Sequence, residues 1–120
     1  MARRARDQAG AATAELALGI PLLVALTAGL VWMLAVGAAQ VRVIDASREA
    51  ARAVARGDDP TSAEAVALRI APDPARVSIA VGDAQVVVTT SARVSGPGGL
   101  LGALPGVTVS AEATALVEEP

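Results

Sequence analysis

Glu15 is the residue whose chemistry most needs explaining. Behind it lies a short basic leader, in which Arg3, Arg4 and Arg6 outweigh Asp7. Ahead of it, Leu16–Ala39 carries no charge for about 24 residues, roughly 36 Å of helix and enough to cross a bilayer. A carboxylate at the mouth of hydrocarbon costs roughly a few kcal/mol unless a cation offsets it. Gly10 stands five positions earlier, with the small residues Ala11, Ala12, Thr13 and Ala14 between. A glycine, four residues and a glutamate ahead of an apolar run read as a processing signal as well as a charge in need of a partner.

Other chemistry is excluded by composition. The chain has no His and no Cys, and every basic residue is an arginine. Most metal sites, the commonest general bases and a Schiff-base amine are therefore missing. Ser47, Ser62, Ser78, Ser91, Ser95 and Ser110 have no histidine to activate them. Gly96-Pro97-Gly98-Gly99 lacks the lysine and the strand-to-helix setting of a phosphate loop. A net charge of −2 argues against nucleic acid as a partner. The expectation is a protein that is not an enzyme, with no cofactor and no metal.

The elements that must position Glu15 follow from periodicity. Leu16–Val41 reads as a transmembrane helix, with Gly19 and Pro21 near its start as a candidate helix break, because proline removes the bond to the Ala17 carbonyl. Gly29, Ala35, Gly37, Ala38 and Ala39 permit close helix packing. The helix continues through Gln40–Arg56, with Val43, Ala46, Ala50, Ala53 and Val54 on one face. Arg48, Arg52 and Arg56 recur at i, i+4 opposite, and Arg42–Asp45 and Glu49–Arg52 are possible i, i+3 ion pairs. Gly57-Asp58-Asp59-Pro60 is a stop. A short helix capped by Thr61 or Ser62 runs to about Ile70.

The period then changes to two. Val77, Ile79 and Val81 form one strand, Gly82-Asp83 a turn, and Gln85–Val94 a second strand with Val86, Val88, Thr90 and Ala92 on one face. Ser95–Gly106 is a glycine-rich loop, whose Leu100, Leu101 and Leu104 are candidates for a partner contact. Val107–Val117 is a third strand, with Val107, Val109, Ala111, Ala113 and Ala115 on one side, and Glu118-Glu119-Pro120 a charged tail. The fold class is α+β: a long N-terminal transmembrane helix, a short helix and a three-stranded antiparallel sheet packing on helix. The arginines of the leader place the N-terminus in the cytoplasm and the bulk of the chain outside.

Two cleavage sites are compatible with this layout. A secretory signal would be cut after the apolar run, at Val36-Gly37-Ala38-Ala39, and would release a small protein after Ala38. A cut before the run would keep the helix. With no cut, the chain is a single-pass, membrane-anchored binding module. The second arrangement is that of type IV prepilins, and GAATAELALGIPLLVAL resembles their leader junction. RDQAGAATAELAL, the helix and VRVIDASREAARAVARGD together resemble the TadE-like minor pseudopilins of tight-adherence (Flp-type) pilus systems, in their actinobacterial form, over residues 6–58. VTVSAEATALVEEP is similar more weakly.

The resemblance implies a prepilin-type leader over residues 1–10, a transmembrane and continuing helix over 11–56, and a small extracytoplasmic, pilin-like α+β domain over 57–120. It implies that a prepilin peptidase cuts between Gly10 and Ala11. Glu15 then becomes the fifth mature residue and pairs with the α-amino group of a neighbouring subunit. Pro21 would match the helix break of many pilins. The implied role is that of a minor, non-catalytic subunit in pilus or secretion-machine assembly, with other pilin-like subunits, the assembly platform and the membrane as partners.

Overall fold

The computed structural model describes residues 2–96 and 106–117. Its elements are α1 (Ala2–Ala55), α2 (Pro60–Ile70), β1 (Ala75–Val81), β2 (Gln85–Val94) and β3 (Val107–Leu116). This is the expected α+β order. The chain divides into two compact units, Met1–Met33 and Leu34–Pro120.

The first unit is the N-terminal part of α1. Leu16, Leu18, Leu22, Leu23, Leu26 and Leu30 are all more than half exposed, as residues meant for lipid would be. α1 is a helix long and apolar enough to cross a membrane. The helix runs through Gly19 and Pro21. The proline ring still deprives the Ala17 carbonyl of its intrahelical donor.

In the second unit, α1 ends where sequence places a stop, by a defined mechanism. Gly57 adopts φ 104°, the Gly57 amide donates to the Val54 carbonyl at 3.0 Å, and the Asp58 amide donates to the Ala53 carbonyl at 3.0 Å. These two bonds make a Schellman motif, satisfying carbonyls that the helix end would leave open. The start of α2 differs from expectation. Neither Thr61 nor Ser62 is the cap: Asp59 holds that position with extended backbone and no side-chain bond, and Pro60 opens the helix. Proline suits a first turn because its φ is already helical and its missing N–H has no partner there anyway.

The sheet is antiparallel in the order β1-β2-β3. β1 pairs with β2 from Ala75↔Ala92 to Val81↔Val86, and β2 pairs with β3 from Gln85↔Leu116 to Val94↔Val107. The Gly82 amide donates to the Gln85 carbonyl at 2.8 Å and closes the hairpin. The inner face of β2 is Val86, Val88, Thr90 and Ala92, all buried. Against it lie Val43, Ala46, Ala50, Ala53 and Val54 of α1, together with Ala63 and Ala67 of α2 and Val109 of β3. The core is made of alanine and valine. Small side chains of this kind make up the buried cluster of a unit without Phe or Tyr. Val107 departs from its predicted face position only in being at the rim, 38% exposed.

Candidate functional site

The N-terminal candidates share one stretch of α1. Gly10, Ala11 and Glu15 are exposed, and Gly19 is half-buried. A Cβ built on Gly10 or Gly19 would meet nothing within 4 Å. Neither glycine is needed for packing, and neither has a positive φ. Glycine inside a helix costs about 1 kcal/mol against alanine. Gly10 therefore carries a local cost that the described packing of this chain does not explain. Ala11 and Glu15 are one helical turn apart, so both stand on the same side of α1. Between them Thr13 donates its hydroxyl to the Ala9 carbonyl at 2.9 Å, a local bond that leaves the helix intact. Among the described residues, the Glu15 carboxylate has no hydrogen bond or ion pair. The chemistry available here is that of an exposed carboxylate at the start of an apolar helical stretch.

The second unit holds polar contacts that serve assembly of the fold. Ser47 is fully buried on the apolar face of α1. Its Oγ lies 2.7 Å from Thr90 Oγ1 on β2 and 3.0 Å from the Ala111 carbonyl on β3. Arg42 Nε donates to the Ile70 carbonyl at 3.0 Å, at the C-terminus of α2. A cation there meets an open carbonyl and the negative end of the helix dipole. Gln40 Nε2 donates to the Ser110 carbonyl at 3.1 Å. Three side chains of α1 thus tie down α2 and the third strand.

This corrects the sequence-based pairing of charges. Arg42 reaches α2 rather than Asp45, and Glu49 and Arg52 do not pair. Among the described residues the ion pair is Arg56–Asp58 at 4.0 Å, with both side chains more than half exposed, a contact that contributes little. Ser47 did have a signal in the sequence: it is a hydroxyl on a face otherwise of alanine and valine. Arg42 had none, because its partner is 28 residues away in the chain. Leu100, Leu101 and Leu104 lie outside the described residues.

Comparison with known families adds one finding. Residues 10–52 match the model of the TadE-like protein family, so that segment is similar to the family. The match opens at Gly10 and runs through Glu15, the apolar stretch and the buried face of α1 down to Arg52. No curated protein and no solved structure matches the chain significantly.

Proposed function

Taking the chain as TadE-like over residues 10–52, we propose that it is a membrane-anchored, non-catalytic minor pilin-like subunit of a tight-adherence (Flp-type) pilus or related secretion machine. The observation that carries this reading is the start of the family match at Gly10, a glycine that nothing in the fold requires. A prepilin peptidase cuts between Gly10 and Ala11, the helix stays in the membrane, and the unit that begins at Leu34 stands outside the cytoplasm. Glu15 then accepts the new α-ammonium group of a neighbouring subunit, which removes the cost of an unpaired carboxylate at the membrane surface. Pro21 and Gly19 supply a point of flexibility within the helix. Other pilin-like subunits and the assembly platform are the partners, and the small unit is the part that meets them.

The structure supports retention of the helix over secretion. A cut after Ala38 would fall within α1, immediately before Ala39, which is buried in the core of the second unit. Val36 packs against the same core. The end of the apolar run is thus part of the domain's own packing, unlike a presequence that is discarded.

The test is the N-terminal residue of the protein isolated from its host membrane, read by mass spectrometry. A start at Ala11 is expected. A start at Ala39 replaces this reading with a secreted protein. An intact leader, beginning at Met1 or Ala2, replaces it with a plain membrane anchor.

A further inference from the structure

In the second unit, a groove of about 450 Å³ brings together two arginines that are far apart in the chain. It is lined by Ala35, Ala38 and Arg42 of α1, by Asp73 ahead of β1 and by Arg93 of β2. Both arginines are exposed, yet both side chains are held. Arg42 Nε donates to the Ile70 carbonyl at 3.0 Å, which engages the inner nitrogen and leaves the two terminal ones open. Arg93 lies against Gly106. A Cβ there would stand 3.0 Å from Arg93 Nε and 3.3 Å from its Cγ, so the arginine rests on backbone that only a glycine leaves clear. Among the described residues neither arginine has an ion pair. Two arginines against one aspartate leave the groove with a surplus of one positive charge. Arg93 also lines a neighbouring groove with Arg76, so cationic charge gathers at this end of the sheet.

Chain position puts this groove at a membrane surface. The charge-free run opens at Leu16, and about 20 helical residues, to near Ala35, span the roughly 30 Å of hydrocarbon. The headgroup zone adds roughly 5–8 Å on each side, about four or five further residues, which carries α1 to near Gln40. Arg42 is the first charged residue beyond the run. Side chains of a helix lean toward its N-terminus, which for Arg42 is back toward the bilayer. Ala35 and Ala38 are exposed. The groove thus offers apolar surface at the depth of the upper acyl carbons and guanidinium groups at the depth of the phosphates. That placement holds for either orientation of the helix.

We infer that this groove binds the headgroup of a singly anionic glycerophospholipid, its phosphodiester between Arg42 and Arg93 and an acyl chain along Ala35 and Ala38. A phosphodiester carries one negative charge and so matches the groove's surplus. Arginine suits it because the planar fork gives two parallel bonds to phosphate oxygens. Asp73 is then an acceptor for a headgroup hydroxyl, such as those of a glycerol headgroup. A soluble phosphate ester would bring the same charge but nothing to cover the two alanines, which favours lipid as the occupant. Arg42 would join this lipid to α2, since its Nε already holds the Ile70 carbonyl. The inference rests on α1 crossing a membrane and is independent of cleavage at Gly10 and of any pilus.

The test reconstitutes the full-length chain in nanodiscs of phosphatidylcholine with a minor share of phosphatidylglycerol. The chain is then extracted into mild detergent, and the lipid that stays bound is read by native mass spectrometry. Phosphatidylglycerol should be enriched over its share in the disc. Arg93→Gln should lower that enrichment about fivefold, the loss expected for one arginine at a lipid surface. Arg93→Lys keeps the charge and should recover part of it, which separates lost binding from lost folding. Ala38→Trp fills the groove, leaves both arginines in place and should also lower it. Arg48→Gln, exposed on α1 and not a lining residue, should change nothing. No enrichment in the unaltered chain, or an enrichment that Arg93→Gln and Ala38→Trp leave intact, would overturn the proposal. So would an equal loss in Arg48→Gln, the sign of diffuse charge attraction, or displacement of the lipid by soluble glycerophosphoglycerol, the sign of a site for a free phosphate ester.

Discussion

Ser47 Oγ lies 2.7 Å from Thr90 Oγ1 and 3.0 Å from the Ala111 carbonyl, so one serine joins α1 to two strands. The direction of these bonds follows from chemistry. A carbonyl only accepts, so the single Ser47 proton goes to Ala111. Thr90 must then donate to Ser47. The two hydroxyls form a short directed chain and are the buried polar side chains among the described residues, where an unmade bond is costly.

That direction makes the two partners unequal. Ser47→Ala leaves both the Thr90 hydroxyl and the Ala111 carbonyl unpaired, and should destabilise the second unit by about 2 kcal/mol. Thr90→Val removes a donor, conserves shape and leaves the Ser47–Ala111 bond in place, so it should cost less, about 1 kcal/mol. Thermal unfolding of the detergent-solubilised chain reads the order. Equal losses, or a larger loss for Thr90→Val, would show that the proton runs the other way.

Arg42 is expected to hold α2 rather than a charge partner. Arg42→Gln should lower stability by about 1 kcal/mol through loss of a charged donor at the α2 C-terminus. Hydrogen exchange should quicken in α2 around Arg69–Ala71 and stay unchanged in the β1–β2 hairpin. Asp45→Asn should leave α2 exchange as it is, because Asp45 is not the partner.

Glycines of the chain should divide into two classes. Gly57→Ala places a Cβ at φ 104° and should cost about 1–2 kcal/mol. Gly106→Ala drives a Cβ to 2.8 Å from the Val94 carbonyl and should also destabilise. Gly29→Ala, which meets nothing, should be neutral or raise helix stability by up to about 1 kcal/mol. Circular dichroism melts of the three variants check the division.

Gly10→Leu isolates processing from folding. The site is exposed and contact-free, so the variant should fold and insert normally while its leader is retained. Normal maturation of Gly10→Leu, read as electrophoretic shift and N-terminal mass, would remove the peptidase from the scheme.

Glu15→Gln should separate a later step. The carboxylate has no partner among the described residues, so stability and cleavage should be unchanged while co-purification with other pilus subunits falls. Undiminished co-purification would mean that the carboxylate only reaches headgroups.

Much of the fold was legible from the chain alone, because periodicity is a local property. The valine alternation of β2 gave its bounds and its buried face, and the alanine–valine stripe from Val43 to Val54 gave the face of α1 that meets it. The apolar run and the Gly10–Glu15 spacing marked the N-terminal candidate for the same reason. Helix ends were less legible. Gly57 was a clear stop, but α2 began at Pro60 without the side-chain cap that Thr61 or Ser62 offered.

Local pattern along the chain thus suffices for the set of elements, their faces and the exceptional position of Glu15. Which residue serves which partner emerges when the elements pack. Arg42 lies three residues from Asp45 yet binds Ile70, and Ser47 bonds strands 43 and 64 residues away. The physical reason is that an exposed i, i+3 ion pair is worth only about 0.2–0.5 kcal/mol. An open carbonyl at a helix end or inside a core is costlier to leave unmet, so long-range contacts prevail over local ones once the chain is packed.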